Sequence, residues 1–116
     1  DVLIDMGEVA ALGRRPDTMP WQAGIADPAG TVVQRVALSD RALATSSPAG
    51  MRFGGDGAGH ILSSDAAHAP LSRLVSVSAD SAAIADGLST ALCLMDRTQA
   101  EAAVAAFPGA RIEHFV

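Results

Sequence analysis

The sequence predicts an α+β domain in which an antiparallel sheet precedes two C-terminal helices. Three observations support this fold class. Short apolar runs separated by Gly, Pro and Asp turns occupy the first half of the chain, as in a sheet built from hairpins. After about residue 80, the apolar residues recur at helical spacing instead. The length of 116 residues, 49% of them hydrophobic, is enough for one domain with its own core.

The strands are predicted from apolar and β-branched runs. They cover residues 2–4, 9–12, 21–26, 31–38, 42–46, 72–78 and 110–116. Residues 21–26 and 31–38 are expected to pair as a hairpin, because Asp27-Pro28-Ala29-Gly30 between them has the residues that a tight turn requires. A further turn is predicted at Asp56-Gly57, between Arg52-Phe53 and residues 60–62.

Two helices are predicted near the C-terminus. The first covers about residues 81–95, with Ser78 or Asp80 as its N-cap. Its predicted buried stripe consists of Ile84, Leu88, Leu92 and Met95. The second covers about residues 99–107, begins with the capping-box spacing Thr98 to Glu101 and ends at Pro108-Gly109.

Composition and charge exclude several classes of function. The formal net charge is −5, and a chain without a basic surface is not expected to bind nucleic acid or an anionic membrane. No apolar run reaches the roughly 18 residues that a membrane-spanning helix needs. Cys93 is the single cysteine, so the chain has no disulfide framework and too few thiolates for a zinc cluster.

Asp86 and Thr90 lie four residues apart in the first predicted helix, so they project from one face. A helical wheel places them opposite the apolar stripe, beside the small residues Ala82, Ser89 and Cys93. A carboxylate and a hydroxyl at this spacing offer two oxygen ligands to a hard cation such as Mg²⁺. The alternative is a solvated polar face, which spacing alone favours.

His60 is an isolated histidine near a strand end. By itself, such a position is more typical of a structural or exposed side chain than of a ligand. The glycines at residues 54–59 match neither the dinucleotide fingerprint nor the P-loop, so we interpret this segment as the flexible tip of a hairpin.

Five segments of the chain follow one another in a family-specific order. They are DMGEVAALGRRPD, PWQAGIADP, LSDRALATSS, HIL followed by a short loop and a proline, and SVSADSAAIADGLSTALCLM. In this order they cover nearly the whole chain, and the sequence resembles the C-terminal half of the ApbE family, the FAD:protein FMN transferases. The resemblance implies that residues 1–116 form the C-terminal portion of an ApbE-like domain with a T-fold-related architecture.

The resemblance implies a magnesium-dependent transfer of FMN from FAD to a threonine of an acceptor flavoprotein, with release of AMP. In the family, a helix with the pattern A-D-x-L-[AS]-T-A-L supplies Asp and Thr ligands to Mg²⁺, and the matching residues here are Asp86 and Thr90. This match makes the functional interpretation of the pair the favoured one. The resemblance also implies that His60, Thr45 and Ser46 line the flavin pocket. It assigns no catalytic residue in this chain.

Residues 63–67 depart from the family pattern. Ser-Ser-Asp-Ala-Ala stands where the family has Asp-Pro, a basic residue, Thr and Gly, although Asp65 is available to replace the missing carboxylate by a local shift. The departure supports an alternative, a catalytically lapsed domain of the same fold that binds flavin or only a protein partner. The resemblance further implies a missing N-terminal half that supplies much of the FAD pocket. It also implies a periplasmic or other extracytoplasmic location, in many members as a lipoprotein.

Overall fold

The structure, a computed structural model, describes residues 1–55, 57–64 and 69–116. It confirms the predicted α+β class. Its elements in chain order are β1 (Val2–Asp5), β2 (Val9–Leu12), β3 (Trp21–Ala26), β4 (Val32–Leu38), β5 (Arg41–Ser46), β6 (Arg52–Phe53), β7 (Ala58–Gly59), β8 (Val75–Ala79), α1 (Ala82–Leu92), α2 (Arg97–Ala105) and β9 (Arg111–Phe115).

A five-stranded antiparallel sheet of order β1-β2-β5-β8-β9 forms the centre of the molecule. The predicted hairpin is confirmed as β3 paired with β4, in a register that sets Trp21 opposite Leu38. The reversal is the predicted Asp27–Gly30 turn, where Gly30 has a φ of 85°. That dihedral lies in the left-handed region, which glycine adopts without steric cost.

The central sheet lies between two layers, because successive side chains of a strand point to opposite faces. Val75 and Val77 of β8 pack with Leu88 and Leu92 of the helix layer. On the other face, Leu43 of β5 packs in a second cluster with residues of the β3–β4 hairpin. All residues of β8 are buried, as expected for a strand that is covered on both faces.

The two layers cover different parts of the sheet. Helix α1 lies across β5 and β8, while the hairpin covers the β2 side of the other face. Trp21 belongs to the hairpin layer, and its indole Nε1 is buried with no hydrogen-bond partner among the described residues. In the described part of the chain, no helix has the length and apolar character needed to cross a membrane.

Helix α1 differs from its prediction in its start and in its buried face. Its N-cap is Ser81, not Ser78 or Asp80, and the helix ends at Leu92 before turn-like hydrogen bonds continue the chain to Met95. Ile84, predicted to be buried, is 40% exposed.

The observed buried face of α1 consists largely of small residues. Ala85, Ser89 and Cys93 are fully buried, as is the predicted Leu92, and the predicted Leu88 is 7% exposed. Because these side chains are short, the helix backbone can approach β5 closely, and the helix is rotated away from the face that hydrophobicity alone predicts. The Asp86–Thr90 side therefore borders the packed interface instead of lying opposite to it.

Helix α2 begins with a different capping box from the predicted one. The backbone N–H of Gln99 donates to Asp96 Oδ1 at 2.8 Å, and the N–H of Asp96 donates to Gln99 Oε1 at 3.0 Å. The prediction of Thr98 with Glu101 is wrong, since both residues lie inside the helix. Asp96 and Gln99 are also three residues apart, and they precede Thr98 and Glu101 in the chain. The helix therefore begins at this earlier capping box.

The glycine-rich segment forms a shorter hairpin than predicted. Arg52 and Phe53 pair with Gly59 and Ala58, so residues 60–62 lie beyond the paired strands. Asp56 of the predicted turn lies outside the described residues. Strand β8 also begins later than predicted, while β2 and β3 have the predicted bounds.

Candidate functional site

A cleft of about 720 Å³ opens at the end of β5, between the β3–β4 turn and helix α1. All five residues proposed from the sequence line this cleft, namely Thr45, Ser46, His60, Asp86 and Thr90. They come from three separate segments, which the fold brings to one place.

Helix α1 presents Asp86 and Thr90 to the cleft one turn apart, as the i, i+4 spacing predicted. The Asp86 side chain is exposed. Within the described residues, its carboxylate has no hydrogen bond and no ion pair. Both of its oxygens are therefore available to a ligand.

The hydroxyl of Thr90 contacts strand β5. Its Oγ1 lies 3.1 Å from Ser46 Oγ, which lies in turn 2.7 Å from Ser89 Oγ. Ser89 donates to the backbone carbonyl of Asp86 at 3.0 Å. Ser46 is 9% exposed and Ser89 is fully buried, so these hydroxyls satisfy one another inside the protein.

Thr45 and Ser46 lie on opposite faces of β5, and both line the cleft because it curves around the end of the strand. Thr45 is exposed on the hairpin face, and its Oγ1 lies 2.8 Å from Ser76 Oγ on β8. Ser46 faces α1 instead. The next residue, Ser47, also lines the cleft and donates to the carbonyl of Arg73 at 2.8 Å.

His60 lies on the far side of the cleft, after β7, and its side chain is exposed. Its Nδ1 lies 3.2 Å from the carbonyl oxygen of Met51. Because a carbonyl oxygen only accepts, Nδ1 is the protonated nitrogen of this bond. In the neutral ring, Nε2 is then the unprotonated nitrogen and is able to accept a hydrogen bond.

The lining of the cleft is acidic. Its carboxylates are those of Asp5, Glu8, Asp27 and Asp86, and its described lining residues include no arginine. Asp27 is occupied in the hairpin turn, where Oδ1 accepts from the N–H groups of Ala29 and Thr31 at 2.9 Å each. A polyanionic ligand would be repelled from such a surface unless a cation accompanied it.

The described residues include no group of three or more His, Cys, Asp or Glu side chains that could hold a metal ion. Asp86 and Thr90 offer two oxygen ligands. This small number is compatible with Mg²⁺, which usually keeps several waters and takes further oxygens from substrate phosphates. The donor set of this cleft therefore fits a magnesium ion that arrives with a phosphorylated ligand.

Ser89 has a role in this site that the helical spacing did not predict. The spacing placed it only as a small neighbour of Asp86 and Thr90, whereas its hydroxyl contacts Ser46 and through it Thr90. Residues 65–68, which include Asp65 of the departing loop, lie outside the described part of the chain.

Comparisons with known proteins agree with the predicted resemblance. A model of the ApbE family matches residues 1–112. The crystal structure of the ApbE protein from Thermotoga maritima is 31% identical, with a TM-score of 0.73, and the match covers 91% of this chain and 36% of that one. No curated protein matches the chain significantly.

Two further structures are similar. The apo form of the Pseudomonas stutzeri flavinyl transferase ApbE is 31% identical, with a TM-score of 0.64 over 86% of this chain and 33% of that one. The flavin transferase ApbE from Vibrio cholerae is 26% identical, with a TM-score of 0.68 over 90% and 35% of the two chains. The chain thus spans about one third of the length of these structures.

Proposed function

Because this chain belongs to the ApbE family, we propose that it forms the C-terminal, cation-bearing portion of an FAD:protein FMN transferase. One observation carries the proposal. A single cleft collects all five residues that the family pattern implies, although they come from three separate segments of the chain.

The proposed reaction transfers a phosphoryl group. The pyrophosphate bond of FAD breaks, a phosphoester bond forms between the FMN phosphorus and the hydroxyl oxygen of a threonine on an acceptor flavoprotein, and AMP leaves. The bridging oxygen leaves with AMP, and the proton of the acceptor hydroxyl passes to the AMP phosphate or to water. Such transfers depend mainly on positioning and on stabilisation of the charge at the phosphate oxygens.

We assign the cation to Asp86 and Thr90. Asp86 contributes a carboxylate without a competing partner among the described residues, and Thr90 contributes a hydroxyl oxygen on the same face of α1. When bound, Mg²⁺ would neutralise charge on the pyrophosphate oxygens. The acidic lining supports this assignment, since the described residues of the cleft supply no arginine to do so.

We assign the flavin side of the cleft to Thr45, Ser46 and His60. Thr45 and His60 present exposed polar groups, and Ser46 forms the wall beneath them. The match covers only about one third of each relative's length, so we propose that the remaining part of the flavin pocket comes from an N-terminal portion like theirs. An extracytoplasmic location, periplasmic or as a lipoprotein, is part of the same proposal.

The test is a titration of the full-length protein with FAD, with and without Mg²⁺, followed by flavin fluorescence and AMP release in the presence of a threonine-bearing acceptor. We expect Mg²⁺-dependent binding and AMP release. Asp86→Asn should weaken the Mg²⁺-dependent binding at least about tenfold, because a carboxylate ligand is lost.

Glu101→Gln is the matched control, because it neutralises an exposed carboxylate on α2 outside the cleft. It should bind FAD like the unchanged protein. The metal assignment fails if Asp86→Asn binds FAD with unchanged Mg²⁺ dependence.

The sequence of residues 63–67 favours a second candidate, a catalytically lapsed domain that binds flavin or a protein partner. Residues 63–67 stand where the family has Asp, Pro, a basic residue, Thr and Gly. The same titration separates the two candidates, since FAD binding without AMP release would support the lapsed domain and contradict the transferase.

A further inference from the structure

Four oxygen atoms form a continuous hydrogen-bonded series between α1 and β5. The backbone carbonyl of Asp86 lies 3.0 Å from Ser89 Oγ, Ser89 Oγ lies 2.7 Å from Ser46 Oγ, and Ser46 Oγ lies 3.1 Å from Thr90 Oγ1. The series begins and ends on the two residues assigned to the cation. We call it the hydroxyl series.

The direction of each hydrogen bond in the hydroxyl series follows from its carbonyl end. A carbonyl oxygen only accepts, so the hydrogen of Ser89 is donated to Asp86. A hydroxyl has one hydrogen, so the bond between Ser89 and Ser46 must use the hydrogen of Ser46. The remaining bond must then use the hydrogen of Thr90, which Ser46 accepts.

Within residues 1–55, 57–64 and 69–116, no further side chain hydrogen-bonds to the hydroxyls of Ser46, Ser89 or Thr90 and could reverse this order. Cys93 is fully buried beside the hydroxyl series, and its thiol contacts the backbone carbonyls of Ser89 at 3.3 Å and Ser46 at 3.8 Å, not their hydroxyls. Ser89 is fully buried and Ser46 nearly so. Their hydroxyls must therefore find partners within the protein.

We propose that Ser46 and Ser89 are positioning residues that direct the hydrogen of Thr90 into the protein and leave its lone pairs facing the cleft. This inference rests on the proposed function, in which Thr90 is a cation ligand. A freely rotating hydroxyl points its hydrogen toward a cation for part of the time. The hydroxyl series removes that orientation before the cation arrives, as outer partners do for other metal ligands.

Thr90 and Ser89 are adjacent in sequence but have different roles. Thr90 contacts the cation, whereas Ser89 never reaches the cleft and acts only through Ser46 and Thr90. The effect of Ser89 should consequently disappear when Thr90 has no hydroxyl.

The test measures the dissociation constant of Mn²⁺, used as a spectroscopic probe in place of Mg²⁺, on the full-length protein with FAD present. Ser89→Ala should weaken Mn²⁺ binding about tenfold. Ser46→Ala, which removes the acceptor of Thr90 on the strand side, should have an effect of similar size. Ser72→Ala, a buried serine outside the hydroxyl series and the cleft, is the control and should bind Mn²⁺ as the unchanged protein does.

A double-mutant cycle identifies the route of the effect. In a Thr90→Val background, Ser89→Ala should cause no further loss of Mn²⁺ affinity, because the residue through which it acts is already gone. Equal losses with and without the Thr90 hydroxyl would indicate a general structural effect and would overturn the inference. Thermal unfolding of each metal-free variant identifies those that are folded, and Ser46→Ala replaces Ser89→Ala in the cycle if the latter does not fold.

Failure of the inference can be told apart from failure of the proposed function. If Asp86→Asn and Thr90→Val lose Mn²⁺ binding while Ser89→Ala and Ser46→Ala keep it, the cation site stands and the inference is wrong. If the unchanged protein does not bind Mn²⁺, or Asp86→Asn binds it equally well, the cation site itself is wrong and the inference is overturned with it.

Discussion

Cys93 lies at the back of the helix layer, and its burial raises the pKa of the thiol from 9.0 to about 11. The folded protein therefore holds the thiol proton more tightly than the unfolded chain does. Its contribution to stability is fully present below about pH 9 and is lost as the pH rises toward 11. The sequence contains no lysine and no tyrosine, so no other side chain has its ordinary pKa in this window.

We therefore expect the free energy of unfolding to fall between pH 9 and pH 11, because the Cys93 thiol ionises in the unfolded chain before it does in the folded protein. Denaturant unfolding of the unchanged protein and of Cys93→Ala at both pH values measures this contribution. Cys93→Ala should be less stable at pH 9 because of the smaller side chain, but it should lack the decline. An equal decline in both proteins would contradict the assignment.

Within the candidate site, some contacts could be predicted from the sequence and others could not. The pairing of Asp86 with Thr90 was predictable, because four residues along a helix always bring two side chains to one face. The link from Ser89 to Ser46 was not, because it joins residues on α1 and β5 that meet only after the helix packs on the sheet. Hydrogen-bond direction in turn requires knowledge of that contact.

The start of helix α2 can be tested by mutation, because the sequence predicts Thr98 as its cap and the structure has Asp96 there. Asp96→Ala should lower the free energy of unfolding by about 1 kcal/mol, since the side chain that accepts the N–H of Gln99 is lost. Chemical denaturation monitored by circular dichroism measures the change.

Thr98→Ala is the matched control for that prediction. Thr98 lies inside the helix and is exposed, so the substitution should change the free energy of unfolding by less than about 0.5 kcal/mol. If Thr98→Ala destabilised the protein more than Asp96→Ala did, Thr98 would be the true cap and the observed start of α2 would be wrong.

Most elements could be predicted from local patterns, and the differences have a common physical cause. The β3–β4 hairpin was predictable because its turn residues specify the reversal by themselves. The buried face of α1 was not, because Ile84 is more hydrophobic than Ser89 and yet lies outside. Contact with β5 requires small side chains at the interface, and this requirement outweighs hydrophobicity at those positions.

The central sheet packs against the helix layer and the hairpin layer at once. Leu43 of β5 belongs to the hairpin cluster, and the next residue of the same strand, Ala44, packs with Ala85 of α1. A strand that serves two clusters cannot detach from one without disturbing the other. We therefore expect the hairpin layer and the helix layer to unfold together.

Each layer contains one native side chain whose signal can report its unfolding. Trp21, the only tryptophan, reports on the hairpin layer through its fluorescence, and the alkylation rate of Cys93 reports on the helix layer. Both signals should change at the same denaturant concentration, whereas separate midpoints would show that the layers unfold independently. The cooperativity of the fold is thus measurable in the unmodified protein, without an introduced dye or label.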